Sequence, residues 1–238
     1  MSRASGSLPQ GEEKRKAVQA MFDTIAPRYD LVNRVMTFRM DVGWRRRTVG
    51  DLGLAPGSLV VDLASGTGDL CHDLARAGLR PIAVDLSLGM LQHATHGFPR
   101  VQGDGLALPF STGAVDGVVC GFALRNFVAL APALAELARV IRPGGRIALL
   151  DVSVPANPLL RAGHGAYFGR VVPLIGGLLS DGAAYRYLPK SVAYLPAPAE
   201  LLVMVRAAGF TTVERAQLST GITQLICATR EHDRPAVP

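Results

Sequence analysis

Val60-Val61-Asp62-Leu63-Ala64-Ser65-Gly66-Thr67-Gly68-Asp69 reads as the end of a strand, a tight turn and the first residue of a helix. Apolar residues from Leu59 to Leu63 are interrupted only by Asp62, and past the glycines Leu70, Leu74 and Ala77 recur at helical spacing. In an open α/β sheet such a junction lies at the carboxyl end of a strand, where ligands bind. Gly66 and Gly68 lack the Cβ that would hold a ligand away from the backbone. The stretch predicts a ligand site together with a fold.

A glycine turn alone is shared by binders of nucleotides, flavins and S-adenosylmethionine. A dinucleotide fingerprint wants Gly or Ala three residues after the second glycine, and that position is Cys71. Asp62 and Asp69 flank the glycines where a pyrophosphate would sit. Carboxylates there repel phosphate and suit an ammonium or sulfonium cation, which favours S-adenosylmethionine. The plain alternative is a helix N-terminus, with Asp69 merely favouring the dipole.

The 238 residues suit one α/β domain over 12–238 preceded by a flexible lead at 1–11. Lys and Arg number 25 against 19 Asp and Glu, with clusters at Lys14-Arg15-Lys16 and Arg45-Arg46-Arg47. Such clusters meet anionic lipid or are solvated helix faces. With one Trp and no basic stripe interleaved with aromatics, nucleic acid is not an expected partner. Cys71, Cys120 and Cys227 show no metal spacing and suit a reduced, cytoplasmic protein without a metal. The most apolar later window, Val171 to Leu179, is too short to span a bilayer, so the chain is expected to be soluble or peripheral at the inner face of the membrane. A homodimer is compatible with this composition.

Outward from the glycine turn, residues 12–51 predict two or three short helices broken at Pro27. Pro81 to Asp85 predicts a second strand; Asp85 would accept hydrogen bonds from ribose hydroxyls, or act as a simple cap before Ser87. Val101 to Asp104 suggests a third strand, and Asp104 would accept from an adenine amino group or form a turn. Val115 to Phe122 is a fourth strand. Ala131 to Ile141 is a helix closed by Arg142-Pro143-Gly144-Gly145-Arg146, and Ile147 to Val152 is a fifth strand. Residues 155–190 form a helical insertion set to cover the ligand edge, and Thr211 to Ala216 with Thr223 to Arg230 form a final antiparallel pair. The expected fold is a doubly wound, mostly parallel Rossmann-like α/β sheet with an antiparallel strand near the C-terminus.

This order of motifs resembles class I S-adenosylmethionine-dependent methyltransferases, and more closely the UbiE/MenG quinone-ring C-methyltransferases. Its most distinctive pieces are Met21 to Asn33, Trp44-Arg45-Arg46, Asp62 to Asp69 and Phe122-Ala123-Leu124-Arg125-Asn126, to which Arg142 to Arg146 and Tyr185 to Val192 add; the Met-Phe-Asp opening and the Leu-Arg-Asn segment are the narrowest. The resemblance implies cofactor contacts at Thr67, Asp85, Asp104, Gly105 and Gly121, the last standing where the family more often has Ser. It implies a reduced, polyprenylated quinol as substrate, with menaquinone synthesis favoured over ubiquinone. One departure is Leu225-Ile226, where the family commonly has Leu-His, which would point to a different quinol if that His meets substrate.

Methylation of a ring carbon requires in-line approach, exclusion of water and loss of a quinol hydroxyl proton. Arg125 stays protonated, so it would stabilise the oxyanion or orient a water. Tyr29, Asp30 and Asn126 are candidates to face the ring, and Asp151 would accept a proton if burial raised its pKa. The plain readings are a core tyrosine, a turn asparagine and a helix cap. Of the histidines only His164, in the insertion, stands where it would approach substrate. Leu159-Leu160 and Val171 to Leu179, with Arg161 and Arg170, suit either a cover touching the membrane or ordinary core helices. A nicotinamide-dependent oxidoreductase and a non-catalytic cofactor binder are the rival readings.

Overall fold

The structure, a computed structural model, describes residues 10–94, 97–179, 187 and 191–232. It opens with α1 (Gly11–Ile25), α2 (Tyr29–Met36) and α3 (Met40–Leu52). Pro27 has no N–H to continue α1, and the chain passes through a 3-10 turn, Ala26–Arg28, before α2. The expected lead at 1–11 lies outside the described residues except for Gln10 and Gly11, and α1 already begins at Gly11.

Then follow β1 (Leu59–Leu63), α4 (Asp69–Arg76), β2 (Arg80–Asp85), α5 (Leu88–His93), β3 (Arg100–Gln102), β4 (Val115–Gly121), α6 (Leu130–Val140) and β5 (Ile141–Val152). The cover contributes α7 (Pro158–Ala166), a π turn at Tyr167–Val171 and α8 (Val172–Leu179). The chain finishes with α9 (Pro198–Ala207), β6 (Phe210–Leu218) and β7 (Thr223–Arg230). The seven strands pair in the order β3-β2-β1-β4-β5-β7-β6, and β7 alone runs opposite to the other six. This is the doubly wound sheet expected from the sequence.

Side chains alternate across a strand, so in β1 Val61 and Leu63 face one way and Val60 and Asp62 the other. The first face packs with Leu134 and Leu137 of α6 and Leu201 and Val205 of α9. The second packs with Leu52 of α3 and Leu70 and Leu74 of α4. Both faces are covered, which is why β1 is apolar throughout except at Asp62. The strand order reverses between β1 and β4, and their carboxyl ends open the crevice where such sheets bind ligands.

One expectation fails. Arg142-Pro143-Gly144-Gly145-Arg146 does not close the preceding helix as a loop but is the bulged opening of β5: Val115 pairs with Ile141, and Gly117 next pairs with Arg146. A bulge tolerates Pro143, whose missing N–H would break a regular ladder. The insertion is described as far as Leu179 and at Tyr187, and it lies against the N-terminal helices. The Tyr167 hydroxyl donates to the Met36 carbonyl at 2.7 Å.

Helices α3 and α4 are joined by Arg45, which pairs with Asp41 and, at 3.1 and 3.3 Å, with Asp69 and Asp73. Only 13% of its side chain is exposed, so the pairing is poorly screened. Arg45→Ala leaves these carboxylates facing one another and is expected to cost about 3 kcal/mol in urea unfolding. Arg47→Ala, which removes the exposed pair with Asp51, should leave the midpoint nearly unchanged. Equal losses in the two variants would contradict this account.

Candidate functional site

Beyond β1 the backbone turns through Ala64 (φ 54°) and Gly66 (φ 56°), and beyond β4 through Phe122 (φ 58°). Left-handed backbone at Ala64 and Phe122 is strained, and both residues sit at the switch point of the sheet. The Gly66 N–H donates to Asp85 Oδ2 at 2.8 Å, and the Ser87 N–H donates to Asp85 Oδ1 at 2.8 Å. Burial raises the Asp85 carboxyl, against the pull of these two donors. Its position at the end of β2 is thereby fixed, and each oxygen keeps a further lone pair.

Two cavities meet here, sharing Phe22, Tyr29, Ala64, Gly66, Gly121 and Phe122 as walls. The smaller, about 90 Å³, is lined by Asp85, Asp104, Gly105 and Asn126 and roofed by Val18 and Gln19 of α1. A Cβ at Gly105 would lie 2.4 Å from Cε1 of Phe127, so only glycine fits that wall. Asp104 Oδ1 accepts from the Leu106 N–H at 2.9 Å, closing a tight loop past β3. The larger, about 450 Å³, runs from Asp62 and Thr67 to the cover residues Leu159, Leu160 and His164.

Asp62 lies at the inner wall of the larger cavity and is fully buried. Its Oδ2 accepts from the Cys71 thiol at 3.4 Å, while Oδ1 is buried without a hydrogen-bond partner. Burial pushes this carboxyl up to about 7, with the nearby Asp85 charge adding to the effect. Asp69, expected to act with Asp62, is instead committed to Arg45 and, at 3.5 Å, to Arg34. Thr67 Oγ1 donates to Asp30 Oδ1 at 2.5 Å, tying the turn to α2. Gly68 lines neither cavity; a Cβ there would meet the Phe98 ring at 2.4 Å.

Arg125 lies in the 3-10 turn Leu124–Asn126 and is buried. Nη1 donates to Asp151 Oδ1 at 2.5 Å and to the Phe122 carbonyl at 2.6 Å, and Nε donates to Ser191 Oγ at 3.1 Å. Nη2 makes no hydrogen bond among the described residues, and Arg125 lines the larger cavity. Asp151 departs from the expectation of a free base. Its Oδ1 also accepts from the Val152 N–H, its Oδ2 from the Arg125 N–H, and it lines neither cavity.

Asn126, expected beside Arg125 at the acceptor, turns the other way and lines the smaller cavity with Oδ1 buried and unpartnered. Tyr29 stands between the two cavities, packed edge-on against Phe22, and burial raises its hydroxyl pKa. His164 lines the larger cavity; burial lowers its pKa and Nε2 has no partner. Ile226 lies in the sheet core between Leu149 and Arg215, away from both cavities. The residue that sequence reasoning missed is Lys14, buried on α1 four residues before Val18; its place on that apolar stripe was the available signal.

The sequence profile of the ubiE/COQ5 methyltransferase family matches residues 10–230. The chain belongs to that family. This methyltransferase is 41% identical, over 88% of its own length and 92% of the relative's, to the ubiquinone/menaquinone biosynthesis C-methyltransferase UbiE of Syntrophotalea carbinolica. It is 44% identical to the demethylmenaquinone methyltransferase of Thermus thermophilus, over 80% and 91% of the two chains. Among solved structures, the cyclase SpnF superposes with a TM-score of 0.69 over 96% of this chain and all of the other, at 14% identity, which speaks for the fold alone. The methyltransferase uses S-adenosylmethionine, and the nicotinamide-dependent alternative falls.

Because the folded chain keeps a proton on Asp62 to about pH 7 that the unfolded chain releases near pH 4, this group's stabilising term is complete below the unfolded value. The term is lost as pH rises through about 7. Without cofactor, unfolding free energy from pH 5 to 8 is expected to fall about 3 kcal/mol more in the wild type than in Asp62→Asn. Parallel profiles for the two proteins in urea titrations would refute the buried, protonated carboxyl.

Proposed function

We propose that this methyltransferase methylates a ring carbon of a reduced polyprenyl quinol, and that demethylmenaquinol is its substrate in preference to a benzoquinol. The observation that carries the reading is the larger cavity, apolar along the cover and closed at its inner end by a guanidinium with one nitrogen unbonded among the described residues. Its volume of about 450 Å³ suits a ring of that size with the start of a tail. The preference for the naphthoquinol is supported by the relatives from Thermus thermophilus and Deinococcus radiodurans, both named demethylmenaquinone methyltransferase.

The residues present fit S-adenosylmethionine. Asp62 Oδ1, buried and unpartnered, suits the ammonium of its amino-acid end. Asp85 has lone pairs for the ribose hydroxyls and Asp104 for the adenine amino group, with Asn126 Oδ1 a further acceptor in the same cavity. Gly66, Gly105 and Gly121 let the backbone come close, and Thr67 orders the turn between the two cavities. When bound, the cofactor supplies an electrophilic methyl group.

The chain's own residues hold the ring, exclude water and manage the hydroxyl proton. Arg125 keeps its proton and stabilises the phenolate oxygen through Nη2. Asp151 holds that guanidinium in place. Asp62, pushed up to about 7 by burial, and His164, whose pKa burial lowers, both line the larger cavity. With Asp62 given to the ammonium, His164 is the proton acceptor, and Tyr29 forms the wall between donor and acceptor.

Phe38, Leu159, Leu174 and Leu178 are exposed around the cover, with Arg39, Arg161 and Arg170 among them and no acidic residue between Val152 and Ser180. An apolar, basic rim of this kind suits peripheral contact with an anionic membrane, from which a polyprenyl quinol is drawn. Among the described residues no helix is long and apolar enough to cross a bilayer.

Incubation with isotope-labelled S-adenosylmethionine and a panel of reduced quinones is expected to give a methylated naphthoquinol on mass spectrometry. A benzoquinol product, or none, would reject the substrate. Arg125→Lys, which keeps charge but loses the planar fork, is expected to lower kcat about 100-fold while cofactor affinity measured by calorimetry stays within about threefold. Lost cofactor affinity with unchanged kcat would reject the role of Arg125.

A further inference from the structure

A lysine is almost never fully buried without a charged partner, yet Lys14 on α1 is 3% exposed and pairs with no carboxylate among the described residues. Its Nζ donates to the carbonyl oxygens of Arg125 at 3.0 Å and Phe127 at 2.7 Å. The same nitrogen lies 3.6 Å from the centroid of the Tyr194 ring. Three separate parts of the chain are thus joined at one atom. α1 roofs the smaller cavity through Val18, Gln19 and Phe22. The Leu124–Asn126 turn sends Arg125 to one cavity and Asn126 to the other. Tyr194 closes the 3-10 turn that follows Ser191, the residue whose hydroxyl accepts from Arg125 Nε.

We infer that Lys14 is a positioning residue for methyl transfer: it fixes the Arg125 turn from its backbone side and links the aim of that guanidinium to the seating of α1 over the cofactor cavity. Asp151, the Phe122 carbonyl and Ser191 already hold the far end of Arg125. A three-residue turn has little rigidity of its own, and without Lys14 its backbone end would be free to tilt. Desolvating an ammonium is costly, and an apolar side chain of the same volume would fill the space at less cost. What methionine would lack is two donors aimed at two carbonyls. Burial pushes Lys14 down to about 8, and even the neutral amine keeps enough N–H groups for both bonds.

The inference rests on Arg125 acting at the acceptor, as proposed above, and a double-mutant cycle separates the two. Lys14→Met and Lys14→Arg are made in the wild-type and Arg125→Lys backgrounds, and kcat, KM for a reduced naphthoquinol, cofactor Kd and the thermal midpoint are measured. Lys14→Met is expected to lose at least about tenfold in kcat with little change in quinol KM, and Lys14→Arg, which keeps two donors, to recover most of it. In the Arg125→Lys background the Lys14→Met penalty should shrink to less than about twofold, because the group it positions is already compromised. A Lys14→Met kcat within about twofold of wild type, or a full penalty in both backgrounds, overturns the inference while leaving the role of Arg125 standing. Wild-type turnover by Arg125→Lys overturns the role of Arg125 and the inference with it. Should Lys14→Met not fold, Lys14→Gln, neutral with one amide donor group, carries the same cycle.

Discussion

A buried carboxyl group with one oxygen that has no hydrogen-bond partner lies on the first strand of the sheet, and the rest of the site is arranged around that cost. Asp62 occupies the fourth position of an otherwise apolar strand that pairs in parallel on both sides, with Ala83 and with Val119. Nothing in β1 requires an acid there, and the thiol of Cys71 is a weak donor for one oxygen only. Leaving the other oxygen unpaired destabilises the fold. On the reading proposed above, the cofactor ammonium would meet that oxygen and remove the penalty.

Selectivity among the other acids is set by where the arginines stand. Asp69 and Asp62 both flank the glycine turn, yet Arg45 and Arg34 neutralise the first and leave the second open. Asp151 lies near the end of β5 much as Asp62 and Asp85 lie at or near the ends of β1 and β2, and its oxygens are taken by Arg125 and the Val152 N–H. The pairing also serves the arginine, since Asp151 fixes Nη1 and Ser191 fixes Nε, which leaves Nη2 as the part able to meet a substrate oxygen. Two ion pairs of similar chemistry therefore do opposite things. One neutralises an acid on the wall of the larger cavity, and the other holds a guanidinium at it.

What could be read from the sequence was whatever depends on neighbours in the chain. Strand, turn and helix alternate visibly, so the doubly wound sheet and its final antiparallel pair were legible, as were the positions of Asp85 and Asp104 at strand ends beside the glycine turn. The bulge at Arg142 to Arg146 was not, because Pro-Gly-Gly has the same local signature in a loop and in a kinked strand opening. The pairings at the site that the sequence did not reveal share one cause. Whether Asp69 and Asp151 are open acids depends on partners 24 and 26 residues away, and the setting of Lys14 on carbonyls 111 and 113 residues away. Asn126 shows the same limit at closer range, since one 3-10 turn sends adjacent side chains into different cavities.

The sheet by itself does not select a reaction, as the close superposition of a cyclase makes plain. In this chain the larger cavity has walls of two kinds. Its inner end belongs to the sheet, through Asp62, Gly121 and Phe122, whereas its outer walls come from α2, α3 and the cover, where Trp44 is anchored to Ser219 by a 2.8 Å hydrogen bond. The inner side is built from strand ends and buried acids. The outer side is built from helices that meet through a few polar ties, such as the Tyr167 hydroxyl on the Met36 carbonyl. If the substrate is the quinol proposed above, its ring would enter between these helices while the strand ends held the donor, and the Arg125 turn, which sends one side chain to each cavity, would join the two.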